Sequence, residues 1–331
     1  MSAVNFDTLF AQFSTLKVGV IGDVMLDTYM WGQVDRISPE APVPIVALHH
    51  KEYRIGGASN VALNIASLGA NVSMLSVVGT DEEGNTLKKL LDEKNIQTDF
   101  LISSAKRITT SKTRVISRNQ QMMRLDHETT IDLGYEDENR LILALQTFIA
   151  QEKPDVLIFE DYNKGVLTEL VIKKAIDLCR HNNIITTVDP KRKNFFSYKG
   201  VDLFKPNLKE VKEALNLLID EVTNEKLQAI HAELQQQLQH KISFITLSEK
   251  GVFYQQGNES GIVPTHIRNI ADVSGAGDTV IAVASLVYTA TKNVHLMAEV
   301  ANIAGGLVCE EVGTAAIDKE KLVKECKLLL T

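Results

Sequence analysis

DVLIFED (155–161), IITTVDP (184–190) and ISFITLS (242–248) read as short strands, another short strand leads into FKPN (204–207), and the segments near 167–181 and from 208 to 238 between them read as helices. Strands alternating with helices at this length mean a parallel sheet covered by helices on both faces. Toward the N-terminus, VGVIG (18–22) reads as one more buried parallel strand, ending in Gly22-Asp23, and it delivers Asp23 and Asp27 to a sheet edge. Gly56-Gly57 open a stretch with apolar residues at 61, 65 and 68 and a terminating Gly69, an amphipathic helix. A strand (VSMLSVVG, 72–79) and a second helix around TLKKLLDEK (86–94) follow, and the last third is helical, with 276–291 and 294–311 apolar on a broad face.

Two segments break the alternation. RISPEAPVPIVAL (36–48) carries three prolines, which forbid a helix and favour an extended edge segment. From 108 to 125 the pattern has a period of two, turning at Asn119-Gln120, as a hairpin does. No solenoid repeat, low-complexity tract or flexible linker interrupts the chain, so the expectation is one α/β domain over 1–331. Lid segments of roughly 28–53 and 97–127 are inserted into it as a small β-sheet.

A chain of 331 residues, 44% of them apolar, can bury a sizeable core without disulfides or metals. Its net charge of −7 and the lack of a basic stripe argue against nucleic acid as a partner. Small anionic substrates stay open, because a local cluster of Lys and Arg can hold a phosphate inside an acidic protein. Cys179, Cys309 and Cys326 are odd in number and far apart, which fits a reducing cytoplasm. The first residues lack a basic start followed by an apolar stretch, and the longest apolar run, Val280 to Tyr288, is too short to span a bilayer. No GxxxxGK[ST] loop is present, no GxGxxG follows the first strand, and the histidines lack metal-ligand spacing.

The chemistry is concentrated in ADVSGAGDTVIAVASLVY (271–288), where Gly275, Ala276 and Gly277 precede Asp278 at the opening of an apolar helix. Small residues let the backbone approach a ligand, and the first N–H groups of a helix have no partner within it. They can meet a phosphoryl oxygen, which the helix dipole favours. Asp278 in the same turn either takes the proton of a hydroxyl held beside that phosphate or merely caps the helix. Gly56, Gly57 and Asn60 at another helix start, with Asp23 and Asp27, supply the donors and acceptors a polyol needs, though each also suits a turn or cap. In KPNLKE (205–210), Asn207 and Glu210 suit either the water shell of a phosphate-bound magnesium ion or a capping box, and spacing favours the box. Ser248-Glu249-Lys250-Gly251 reads first as a hairpin turn and second as a phosphate contact. Among the basic residues, Arg114, Lys164 and Lys191 are the candidates for a substrate phosphate.

GDVMLD (22–27), GGASNVALNIASLGA (56–70), KPNLKE (205–210) and DVSGAGDT (272–279) together resemble the ribokinase-type (PfkB) carbohydrate kinases, in that order and over nearly the whole chain. Within that family, RISPEAPVPI (36–45), TRVISRNQQMMRLD (113–126), EDYNKG (160–165) and VDPKRKNF (188–195) resemble the D-glycero-β-D-manno-heptose-7-phosphate kinases. The resemblance implies a ribokinase-like three-layer α/β sandwich with a central, mostly parallel sheet and a β lid that helps form a homodimer. It implies ATP and Mg²⁺ as cofactors and phosphorylation of the anomeric hydroxyl of the heptose 7-phosphate to the 1,7-bisphosphate. It assigns Asp278 as base and Gly275, Ala276 and Gly277 as anion hole. Asn207, Leu208, Lys209, Glu210, Ser248, Glu249, Gly251 and Asn302 go to the nucleotide, with Glu210 reaching magnesium through water. Asp23, Asp27, Gly56, Gly57, Asn60, Arg114, Lys164 and Lys191 go to the sugar phosphate.

Four positions depart from the family pattern: Glu160 for Ser, Ser274 for Thr, Ile55 for Pro and Leu247 for Arg. Some heptose kinases are fused to a nucleotidyltransferase. This sequence shows no HxGH-type signature up to Thr331, so only the kinase step is expected.

Overall fold

A computed structural model describes residues 4–118, 120–218, 221–266 and 268–330. Asn119, half of the expected turn, and the final Thr331 lie outside the described residues. The first elements are α1 (Phe6–Gln12), β1 (Lys17–Gly22), β2 (Val24–Ile37), β3 (Pro44–Gly57), α2 (Ala58–Ser67), β4 (Asn71–Gly79), α3 (Glu82–Glu93) and β5 (Leu101–Ser104). Next come β6 (Thr110–Ser117), β7 (Gln120–His127), α4 (Tyr135–Glu152), β8 (Val156–Glu160), α5 (Glu169–His181), β9 (Ile185–Asp189) and β10 (Leu203–Phe204). The chain continues through α6 (Leu208–Ala214), α7 (Asn224–Leu238), β11 (Ile242–Thr246), β12 (Val252–Gln256), β13 (Glu259–Val263), α8 (Ala276–Thr291), α9 (Val294–Val308) and α10 (Lys319–Leu329).

Nine strands form the main sheet in the order β13-β12-β11-β10-β9-β8-β1-β4-β5, parallel from β5 to β11 and antiparallel for the last two. Because side chains alternate along a strand, each apolar run feeds two cores. Val18, Val20, Val156 and Ile158 face α1, α2, α8, α9 and α10, whereas Ile21, Leu157 and Phe159 face α4, α5 and α7. This is the expected three-layer sandwich.

A second sheet, ordered β3-β2-β6-β7, stands directly off the end of β1, since only Asp23 separates β1 from β2. β3 is its edge strand, with Pro44 in first position, which suits a residue that cannot donate to a ladder. β6 and β7 are the antiparallel pair read from the period of two. β5, inside the segment expected to be inserted, joins β4 at the rim of the main sheet instead, so the small sheet takes only 110–127 of that segment.

Candidate active site

The site forms where β1, β8 and β9 end beside the first turn of α8. Gly275 precedes that helix at φ 81°, a left-handed conformation that costs little only for glycine. No side chain caps the helix and Gly277 at its start is exposed, while the Ala276 N–H already donates to the Val273 carbonyl at 3.3 Å. Asp278 is buried one residue further on. Its Oδ2 accepts from Asn60 Nδ2 at 2.7 Å and its Oδ1 from the Tyr162 hydroxyl at 2.7 Å. Burial pushes its carboxyl up to about 6, against the pull of those two donors. Asn60 Oδ1 is buried with no donor.

Behind the anion hole lies a charged floor. Glu160 and Asp189 are in register on adjacent parallel strands and therefore share a face. Lys205 Nζ lies 2.6 Å from Asp189, both being nearly inaccessible, and Lys191 reaches Asp189 at 3.5 Å and Glu210 at 2.8 Å. A Cβ on Gly277 would stand 3.6 Å from Asp189 Oδ2 and 3.8 Å from Lys205 Nζ, so this pair sits directly under the helix start.

Four carboxyls (Glu160, Asp189, Glu210 and Asp278) thus share two ammonium groups, with Lys191 bridging Asp189 and Glu210 and Lys205 on Asp189. Burial alone would raise Asp189, but Lys191 and Lys205 hold it below its ordinary value. Glu160 is completely buried and both its oxygens lack a donor; burial and the neighbouring Asp189 and Asp278 raise it well above 4.5, against the weaker pull of Lys205 and Lys191.

A group whose folded pKa lies above its unfolded one stabilises the fold fully below the unfolded value and loses that contribution as pH rises through the folded one. Glu160→Gln should remove this slope, making the variant more stable than the parent at pH 8 and less distinguishable from it near pH 4.5. Urea unfolding at both pH values checks it; an equal difference at the two would contradict a raised Glu160 carboxyl.

The other expected residues are distributed as follows. Asp23 is 1% exposed, and its carboxylate accepts from the backbone N–H groups of Tyr162, Lys164 and Val166 at 2.9, 3.0 and 2.9 Å, so it lies beneath the 162–166 loop. Asp27 contacts Arg114 from the small sheet, and a Cβ on Gly56 would collide with its Oδ2 at 2.3 Å. Gly57, at φ 61°, immediately precedes α2. Lys164 pairs with Glu128 at 2.6 Å.

Asn207 and Glu210 form the expected capping box, with bonds of 2.9 and 2.8 Å. Leu208 packs against the core, while Lys209 points outward toward Glu213. Ser248, Glu249 and Gly251 make the turn between β11 and β12, and Asn302 donates to the Pro264 carbonyl at 2.8 Å. Leu247, in the place of an expected arginine, is 3% exposed and lies in the core.

Tyr162, Lys205 and Asp189 escaped the sequence reading. The available signal was position, since ligands of open parallel sheets gather at the carboxyl ends of strands. So did Arg107, whose side chain is largely covered, donates to the Lys164 carbonyl and comes within 4.0 Å of Asp23.

Residues 15–321 match the model of the pfkB family carbohydrate kinases. The chain belongs to the pfkB family. This pfkB-family chain is 36% identical over 324 residues to the bifunctional protein HldE of Geobacter sulfurreducens, covering 98% of itself and 65% of that protein. It is 38% identical over 303 residues to HldE of Aliarcobacter butzleri, covering 92% of itself and 63% of the relative. It thus spans slightly under two thirds of the length of these curated relatives.

Its fold is shared by phosphofructokinase-2 from Escherichia coli in complex with potassium (TM-score 0.79, 18% identity, 96% of this chain and 99% of that one). Ribokinase from Arabidopsis thaliana complexed with ribose and ATP has the same fold (TM-score 0.70, 15% identity, 93% and 99%). No helix among the described residues is long and apolar enough to cross a membrane.

Proposed function

We propose that the chain transfers the terminal phosphoryl group of ATP to the anomeric hydroxyl of D-glycero-β-D-manno-heptose 7-phosphate, giving the 1,7-bisphosphate for ADP-heptose synthesis. The observation that carries this reading is the buried Asp278 carboxylate in the first turn of α8, beside amides that no side chain caps. With a hydroxyl held against it, Asp278 takes the proton while the amides of Gly275 to Gly277 receive charge on the transferring group. A loose transition state asks mainly for such positioning. Asn60 Oδ1, unpartnered and buried, suits a neighbouring sugar hydroxyl.

Asp27, Gly56, Gly57, Arg114 and Lys164 line the approach from the small sheet and the 162–166 loop, and would hold the sugar and its phosphate. Lys191 serves the floor between Asp189 and Glu210. The nucleotide falls to the α6 start (Asn207 to Glu210), the turn at Ser248, Glu249 and Gly251, and Asn302. Magnesium, when bound with ATP, neutralises phosphate charge. Mg²⁺ held by nucleotide phosphates keeps several waters, and Glu210 would hold one of them. The small sheet exposes Leu48, Tyr53, Met122, Met123 and Leu125, which supports pairing of two chains through the lid in a cytoplasmic homodimer.

The test is ATP consumption with a panel containing the heptose 7-phosphate, a fructose phosphate and a ketodeoxy acid. Turnover of the heptose 7-phosphate alone is the expected result. Turnover of another member instead would move the chain to a different branch of the family, and turnover of none would leave a sugar or nucleotide sensor.

A further inference from the structure

Asp278 is held from two sides, by Asn60 on α2 and by Tyr162, which follows the end of β8. The tyrosine is itself fixed. Its backbone N–H donates to Asp23 at 2.9 Å, as do the N–H groups of Lys164 and Val166, so one buried carboxylate sets the path of the whole loop. Its ring faces the Lys191 ammonium, 5.8 Å from the centroid, an arrangement that holds the ring plane. Its neighbour Asp161 turns the other way, accepting from the Tyr198 hydroxyl at 2.8 Å and thereby anchoring the loop in the core.

We propose that Tyr162 is a positioning residue for the Asp278 base: its hydroxyl fixes Oδ1, presents the carboxylate to the substrate hydroxyl and favours the ionised form. This rests on the kinase reading. A carboxylate placed by a single donor can rotate about its side-chain bonds, whereas one held at both oxygens cannot, and general base catalysis depends on that geometry. The groups that face Asp278 are Asn60 from α2, Glu160 from the end of β8, Asp189 from the end of β9, Lys205 from the segment before α6, and Tyr162 itself. Of these only Asn60 and Tyr162 donate hydrogen bonds to it. Removing the tyrosine hydroxyl takes away a donor that favours the charged carboxylate, so the pKa of the base rises.

The experiment compares kcat/KM against pH for the intact chain and Tyr162→Phe. The acidic limb should move upward by about one pH unit, while the KM for ATP stays within about twofold. A folded variant with the limb unmoved overturns the proposal, because a role in folding alone would lower activity without displacing the limb. A second measurement does not depend on Tyr162→Phe folding. Burial, the Asp278 charge and the hydrogen bond raise the Tyr162 phenol well above 10.0, so Asp278→Asn should move the ionisation of one tyrosine to lower pH in an ultraviolet titration. An unchanged titration also overturns the contact. If no sugar is turned over by the parent chain, the kinase reading falls and this titration alone decides whether Tyr162 holds Asp278.

Discussion

Asp278→Asn should lower turnover by on the order of 10²-fold or more, leave binding of sugar and nucleotide largely intact, and make the protein more stable at neutral pH. The loss follows from the chemistry, because an amide cannot accept the proton. Survival of the fold follows from Asn60. A new amide at position 278 would present a donor to Asn60 Nδ2, but Asn60 Oδ1 is buried and unpartnered, so a flip of the Asn60 amide offers it an acceptor. Tyr162 keeps its acceptor throughout.

The gain in stability follows from burial. With a folded value of about 6 against an ordinary 3.8, the carboxyl favours folding fully below pH 3.8, and that contribution is lost as pH rises through 6. Its neutral replacement should therefore gain on the order of 2–3 kcal/mol at pH 7 to 8, read by denaturant unfolding. A residue that costs stability where it stands and is needed for turnover is the expected mark of a functional site. Unchanged turnover would remove Asp278 as the base, and a fall in stability would contradict the buried, poorly compensated charge.

The elements that depend on local pattern were legible in the sequence. The apolar runs at 18–22, 156–160, 185–189 and 242–246 are β1, β8, β9 and β11, and the small residues before Asp278 stand where α8 begins. The capping box of α6 is present as its spacing suggested. Contacts between distant residues were not legible. Asn60 and Asp278 are 218 positions apart, and Tyr162 and Asp278 are 116 apart, so no periodicity joins them. Asp23 shows the same limit: its place after a strand suggested a ligand, but only the path of the 162–166 loop reveals that three backbone N–H groups converge on it. Glu160 stood out as a departure from the family, and its meaning depends on Asp189 and Lys205 beside it, which only the sheet brings together.

Lys205→Met should cost about 3 kcal/mol of stability and lower turnover by about tenfold or more, with the two effects separable. Lys205 and Asp189 are buried at 2.6 Å, with side-chain exposures of 3% and 6%. Removing one partner of such a pair leaves an uncompensated charge in a poorly solvated place, the costly way to break it. Lys191 remains at 3.5 Å and limits the loss. The catalytic cost comes from position: the ammonium lies under Gly277, where phosphate charge would arrive, and without it Glu160, Asp189 and Asp278 face one lysine instead of two. The double variant Lys205→Met with Asp189→Asn removes both charges. It should recover most of the stability, since neither group is then stranded, yet not the turnover. Urea unfolding and steady-state kinetics on the two single variants and the double one read both quantities. If turnover returned together with stability, Lys205 would matter only as a strut; if Lys205→Met alone cost less than about 1 kcal/mol, the floor would be better solvated than its burial implies.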